Sequence, residues 1–356
     1  MLRPSGQGSF LILEIAVNSK TYSTDSRRLS MLLRDAITKA LKFTLKVKQR
    51  SPAKSVRFLP RHDGTRAAVY ATNGPQAILI WVDDTDLPNV MIDGEKLSAA
   101  IKGTKEVRFD SVANGTVSLS GVRLEGGNVA EYPSTPPMPE EAFKKVDDWW
   151  AIEKVLHVVS RDHQDPALRC LHFRKDMVET TDRFRVARAF VETPWEALVP
   201  SQIFSHWPAG DVSASFGPGQ AVFMVGDEMR FTVLKSDLFV DCDPLLPACH
   251  DGPRVAVPTD QLIASLKRLK PLSDNSVLHL SPKEVRLEGG GYSDSLNTTF
   301  ALDAPEEPSR MAVNTAWFLE SLQNVSTGRV LLGYTMAGEL LRVESGPLVV
   351  GIWPFG

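Results

Sequence analysis

Val90-Met91-Ile92-Asp93-Gly94-Glu95-Lys96-Leu97, Ala197-Leu198-Val199-Pro200-Ser201-Gln202-Ile203-Phe204 and Met311-Ala312-Val313-Asn314-Thr315-Ala316-Trp317-Phe318 follow one plan. Each is an apolar strand end, then a cap or first-turn residue (Asp93, Pro200, Asn314), then the start of a short helix. Asp and Asn accept the orphan amide hydrogens of a first turn, and Pro is tolerated where that amide has no partner anyway. The copies begin 107 and 114 residues apart. Self-similarity at a near-fixed period points to a repeated structural unit.

The first half of each unit repeats too. Helical patterns over Arg27 to Thr44, Asp148 to Ser160 and Thr259 to Leu269 are each followed by two strands around a turn. In the first, Leu29, Leu32, Leu33, Ala36, Ile37, Ala40 and Leu41 recur at helical spacing and form one buried stripe. Short alternating strands dominate the rest: Val56 to Leu59, Ala77 to Val82, Val107 to Phe109, Val117 to Leu119, Val285 to Leu287 and Val330 to Leu332. Asp63-Gly64, Asn114-Gly115 and Gly289-Gly290-Gly291 separate them with hairpin chemistry. The expected class is α+β with antiparallel sheets. Proline-rich stretches at Pro133 to Pro139 and Pro247 to Pro253 divide the chain into three domains, 1–136 (with a lead over 1–25), 137–250 and 251–356.

At 356 residues, 43% hydrophobic and 23% charged, the chain is of ordinary globular composition, which excludes a collagen, a coiled coil or a disordered tail. The apolar run Phe10 to Val17 is interrupted by Glu14 and is too short for a membrane span. Cys170, Cys242 and Cys249 have neither disulfide nor zinc spacing, so a cytoplasmic, reduced protein is expected. The net charge of −3 argues at first against a nucleic-acid binder, but it is unevenly distributed: +6 over 26–136, −6 over 137–250 and −3 over 251–356. Between residues 26 and 50, Arg27, Arg28, Arg34, Lys39, Lys42, Lys46, Lys48 and Arg50 oppose Asp35 alone. Such a run is either a solvated helix face or a phosphate-tracking surface. Lys267, Arg268 and Lys270 recur on the equivalent helix of the third domain, which puts the two readings on an equal footing.

Catalysis has little support. No phosphate loop, H-E-x-x-H or G-x-S-x-G is present, and His62, His157, His163, His172, His206, His250 and His279 show no ligand spacing. Asp83-Asp84-Asp86 and Asp241-Cys242-Asp243 read as solvated turns rather than metal sites. No cofactor, metal or catalytic residue is expected.

Several motifs resemble the bacterial DNA polymerase III beta subunit, the sliding clamp. His163-Gln164-Asp165 leads into a strand with Leu168, Leu171 and Phe173. Val178-Glu179-Thr180-Thr181-Asp182-Arg183-Phe184-Arg185-Val186-Ala187 is similar to the family's T-D-G-H-R-L-A strand. Phe239-Val240-Asp241 with Leu245-Leu246-Pro247 is similar to F-P-D-Y-x-x-V-L-P, and Val349-Val350-Gly351-Ile352-Trp353-Pro354-Phe355-Gly356 to the family's apolar strand with an M-P-M ending. Arg183 stands where Gly is usual, Phe184 where His or Tyr is common, Val240 for Pro and Pro244 for a basic residue, while Trp353 and Phe355 replace methionines.

The resemblance implies three repeated DNA-clamp domains per chain, with two chains closing into a ring, helices lining the inside and antiparallel sheets outside. It implies a non-enzymatic processivity factor that encircles duplex DNA without reading sequence, cytoplasmic and nucleoid-associated. Such a clamp tethers DNA polymerase, clamp loader and repair proteins through short linear peptides with Gln, Leu and Phe anchors, of the Q-L-x-L-F type. By position Arg27, Arg28, Arg34, Lys39, Lys42, Arg50, Gln164, Lys267, Arg268 and Lys270 would face DNA. The peptide pocket would comprise Leu168, Thr181, Asp182, Arg183, Phe184, Arg185, Val186, Val240, Pro244, Leu245, Ile352, Trp353, Pro354 and Phe355, its aromatics narrowing or shifting peptide preference. Leu272 and a strand around Val129 to Tyr132 would meet at the dimer interface. The alternative is a clamp-fold paralogue acting mainly as a protein-interaction scaffold, because Asp147, Asp148 and Glu153 leave the middle domain's first helix little positive charge.

Overall fold

The chain forms two compact units, Met1–Ser134 and Thr135–Gly356. The structure, a computed structural model, describes residues 32–46, 51–61, 66–82, 87–113, 115–160, 163–244, 246, 254–298, 300–302, 309–325, 328–334 and 340–354.

In the first unit the elements are α1 (Leu33–Ala40), β1 (Ser55–Leu59), β2 (Ala67–Thr72), β3 (Gln76–Val82), β4 (Val90–Asp93), α2 (Gly94–Ile101), β5 (Phe109–Ala113), β6 (Thr116–Leu119) and β7 (Val122–Gly127). The strands pair antiparallel in the order β5-β6-β7-β4-β1-β2-β3. β2 and β3 are buried almost throughout, and their connection is built from side chains: Gly74 takes φ +101°, and the Asn73 carboxamide oxygen accepts from the Gln76 amide at 3.0 Å. On α1, Leu33, Ala36, Ile37 and Ala40 form the expected stripe against β2 and β3. Each large member is worth about 1.5–3 kcal/mol in water-excluded area. The Asp93 carboxylate caps α2 by accepting from the amides of Glu95 (3.0 Å) and Lys96 (3.1 Å).

The strand expected at Val107 to Phe109 begins only at Phe109. The Arg108 carbonyl accepts from the Ser120 amide at 2.9 Å, but the Arg108 amide donates to the Ser120 hydroxyl at 3.1 Å, so a side chain takes one of the two bonds that strand pairing would use there.

The second unit contains β8 (Lys144–Val146), α3 (Trp149–Val155), β9 (Cys170–Arg174), β10 (Met177–Thr181), β11 (Arg185–Ala189), β12 (Ala197–Pro200), β13 (Val212–Gly217), β14 (Gln220–Val225), β15 (Glu228–Val233), β16 (Arg254–Pro258) and α4 (Thr259–Leu269). It continues with β17 (Asn275–Leu280), β18 (Glu284–Gly289), β19 (Tyr292–Asn297), β20 (Phe300–Leu302), β21 (Ser309–Asn314), α5 (Thr315–Val325), β22 (Arg329–Tyr334), β23 (Leu341–Ser345) and β24 (Leu348–Ile352). Its strands form β15-β14-β13-β8, β12-β9-β10-β11-β24-β23-β22-β16-β20 and β19-β18-β17-β21. The middle sheet draws strands from both sides of residue 250, joined by β11 and β24 in register from Arg185 opposite Ile352 to Ala189 opposite Leu348.

Two helices are shorter than expected. The helix expected after Pro200 is a 3-10 turn, Ser201–Phe204. The buried Arg230 guanidinium donates to the carbonyls of Ile203 (2.7 Å), Ser205 (2.9 Å) and His206 (2.9 Å), acceptors that a longer helix would need, and Pro208 blocks extension. The helix expected over Asp148 to Ser160 is α3 followed by a 3-10 turn, Leu156–Val158. There His157 Nδ1 lies 2.6 Å from the Lys154 carbonyl, so Nδ1 carries the proton and Nε2 is left buried without a partner; burial pushes the His157 pKa down to about 4. Among the described residues no helix is long and apolar enough to cross a membrane.

Candidate functional site

The turn between β10 and β11 is tied into one shape by its own side chains. Asp182 accepts from the amides of Phe184 (3.0 Å) and Arg185 (2.7 Å), and the Thr181 hydroxyl donates to the Arg185 carbonyl at 2.7 Å. Arg183, at the usual glycine position of the resembled motif, has φ +78°, a left-handed conformation costly for a residue that carries a Cβ and natural for glycine. Its guanidinium lies 3.8 Å from Asp165. Arg185 is buried, with Asp182 at 2.8 Å and Glu320 of α5 at 2.7 Å, and its guanidinium sits 5.5 Å from the Trp317 ring. Phe184 stacks on Trp317 at 5.2 Å yet is 53% exposed, an aromatic face presented to solvent.

Facing this turn is the end of β24. The Trp353 amide donates to the Phe184 carbonyl at 3.0 Å. Trp353 and Phe239 pack on a cluster of Val186, Cys242, Leu246, Leu340 and Val349. A Cβ at Gly351 would run into Leu340 and crowd Leu246, so the bare backbone there lets both leucines cross β24. The result is an apolar surface: Phe184 is tied to the cluster through Trp353, and Phe239 packs on the same cluster with the exposed Val240 next to it in the chain and Pro244 next but one to Cys242.

The chain around Asp243 is held by buried charge. Arg188 is 0% exposed and Glu179 1%, joined at 2.8 Å. Arg188 also donates to Asp243 (2.7 Å) and to the Leu246 carbonyl, and Arg174 binds Asp243 through two 3.0 Å bonds. His172 reaches Glu179 at 3.0 Å. Burial alone would raise Glu179, but the His172 hydrogen bond and the Arg188 charge outweigh it and hold the carboxyl below its ordinary range. Hydrogen bonding from Arg174 lowers Asp243 as well.

The expected pocket residues therefore separate by depth. Arg183, Phe184, Val240 and Pro244 are exposed, and Asp182, Trp353 and Pro354 half-buried, whereas Leu168, Thr181, Arg185, Val186 and Ile352 are buried. Leu245 and Phe355 lie outside the described residues. Sequence reasoning missed Glu179, Arg188, Arg174, Asp243, Trp317 and Glu320. The available signal was three charges, Glu179, Arg185 and Arg188, in strands otherwise suited to burial.

Of the residues expected to face DNA, Arg34 and Lys39 are half-buried on α1 and Lys42 is exposed in the 3-10 turn after it. Lys267, Arg268 and Lys270 are exposed around the end of α4, where positive charge also complements the helix dipole; Arg268 lies 3.9 Å from Asp294. Gln164 is exposed in a turn before β9. Arg27, Arg28 and Arg50 lie outside the described residues.

The interface expectation divides. Leu272 is 53% exposed and lies against the Gly290 backbone at the β18–β19 turn. The strand expected around Val129 to Tyr132 is instead a 3-10 turn, Val129–Glu131, capped by Asn128 accepting from the Ala130 amide at 3.1 Å. Tyr132 is buried, its hydroxyl donating to the Ser55 carbonyl at 2.7 Å and its ring 5.6 Å from Tyr70, so it is a core residue. Among the described strands β5 pairs with β6 alone and β19 with β18 alone, leaving one edge of each open.

No family model matches the sequence. Solved structures do match. The Helicobacter pylori beta clamp bound to a DNA ligase peptide aligns with TM-score 0.78 at 16% identity, covering 91% of this chain and 98% of that one. The Bacillus subtilis DNA polymerase sliding clamp aligns with TM-score 0.78 at 15% identity, covering 91% and 97%. The Pseudomonas aeruginosa sliding clamp (DNA polymerase III subunit beta) bound to griselimycin aligns with TM-score 0.75 at 14% identity, covering 91% and 98%. Mixed helices and antiparallel sheets in this order, over nine-tenths of the chain, are the fold of the bacterial beta sliding clamp.

Proposed function

We propose that this protein is a sliding clamp: two copies close head to tail around duplex DNA, each contributing three domains, and partners dock beside Phe184 and Trp353. The apolar surface beside Phe184 and Trp353 carries the proposal, because it is set in the clamp fold, and a clamp of this fold has been solved with a DNA ligase peptide bound. Among the described residues, five α-helices and the turn Ser201–Phe204 would give two helical positions to each of the three proposed domains. A ring holds DNA by topology, so its contacts need only be weak and sequence-blind, a task suited to Lys and Arg on α1 and α4. Pairing of β5 from one copy with β19 of the other, with Leu272 beside the joint, would remove two open strand edges.

The scaffold alternative draws on α3, whose surroundings include Asp147, Asp148, Glu153 and Asp211 around a cleft of about 320 Å³. Light scattering distinguishes the two. A mass of two chains, with retention on circular plasmid and release when the plasmid is linearised, supports the ring; a monomer indifferent to DNA topology leaves only the scaffold.

A further inference from the structure

The apolar surface extends along the chain past the cluster that defines it. Leu238 is 94% exposed and Val240 44%, two apolar side chains offered to solvent on the segment running from Lys235 to Pro244. The segment is anchored on both sides of the leucine: the Lys235 amide donates to the Leu198 carbonyl at 3.0 Å, and Asp243 is gripped by Arg174 and Arg188. Between these anchors Phe239 turns inward, its ring 4.8 Å from that of His172, and alternation along an extended chain sends Leu238 and Val240 outward. An isolated exposed leucine is unremarkable, but exposed apolar side chains adjoining a binding surface mark further contact surface. Asp237 and Asp241, both exposed, flank the two side chains within a domain of net charge −6.

Resting on the docking reading above, we infer that this surface takes a partner peptide longer than the apolar core motif, one that adds a hydrophobic residue adjoining Lys or Arg. The added side chain covers Leu238, and its basic neighbour meets Asp237 or Asp241. An apolar contact of this size corresponds to about a tenfold gain in affinity.

Fluorescence anisotropy on the full chain tests this with three synthetic peptides: a Q-L-x-L-F core, and the same core extended by Leu-Lys-Lys at either end. One extension is expected to tighten binding about tenfold at low salt. Leu238→Ser should abolish that gain while leaving the core peptide's affinity unchanged, and Asp237→Asn with Asp241→Asn should remove its salt dependence. If both extended peptides bind as the core does, or if the gain survives Leu238→Ser, the inference is overturned while the docking reading stands. Failure of the core peptide to bind overturns the docking reading and this inference with it.

Discussion

Replacing Arg188 with Met isolates the buried ion network that holds the chain around Asp243. In the native chain Arg188 and Glu179 are almost wholly excluded from water, and Arg188 also reaches Asp243 and the Leu246 carbonyl. Removing one partner of a buried pair leaves the other charge uncompensated, at a cost of about 3–5 kcal/mol. Glu179 keeps His172 at 3.0 Å and Arg174 at 3.4 Å, which places Arg188→Met at the lower end, about 3 kcal/mol. For a unit of this size that corresponds to a fall of about 6–12 °C in Tm. Adding Glu179→Gln should recover much of the loss, because the double variant buries no unpaired charge. The pH dependence carries a definite sign. Native Glu179 titrates below its unfolded value, so its contribution is complete above about pH 4.3 and is lost as pH falls through the folded pKa. In Arg188→Met the stranded carboxylate can take up a proton, so the gap from wild type should narrow from pH 7 toward pH 4. Scanning calorimetry of the three proteins reads all of this. A single variant as stable as wild type at pH 7, or a gap that widens in acid, would refute the assignment of a coupled buried network.

Two further substitutions test local geometry. Arg183→Gly relieves a φ of +78° and is expected to raise Tm, by about 1 kcal/mol of stability less whatever the distant Asp165 pair contributes; a lower Tm would show that the pair dominates. Tyr132→Phe leaves the Ser55 carbonyl without its buried donor and should cost about 1–2 kcal/mol with no change in solution mass. A changed mass with unchanged stability would instead return Tyr132 to the subunit interface.

Much of the architecture was legible where local chemistry and burial agreed. Asp93 and Asn314 sit at helix starts because a short acceptor matches first-turn amides, and α4 spans the expected Thr259–Leu269 because its apolar stripe and basic last turn both end there. The misplaced elements share a different cause. Ser201–Phe204 stays a single turn because Arg230, 24 or more residues away, takes the carbonyls of Ile203 within it and of Ser205 and His206 just past it, and Tyr132 turns inward for a carbonyl 77 residues back. Neither long-range bond leaves a periodic trace. At the candidate site, the turn Thr181 to Arg185 could be located from its motif, but which of its residues face outward depended on Glu320 and Trp317, contributed from a separate helix more than a hundred residues later.

Ion pairs also change what the charge of residues 137–250 means. Arg174, Arg185, Arg188 and Arg230 are engaged with Asp243, Asp182, Glu179 and Glu228. Setting those aside leaves eight basic against fourteen acidic residues between 137 and 250, so the remaining charge is more one-sided than the totals of twelve and eighteen suggest. A domain with that surface has little to offer DNA phosphates and much to offer a basic peptide. In the proposed ring, the attraction for DNA would therefore come from α1 and from Lys267, Arg268 and Lys270, while the carboxylates of Asp237 and Asp241 would favour basic docking partners. In that reading a near-neutral chain would hold DNA through exposed Lys and Arg on α1 and α4 and discriminate between peptides through the exposed carboxylates of residues 137–250.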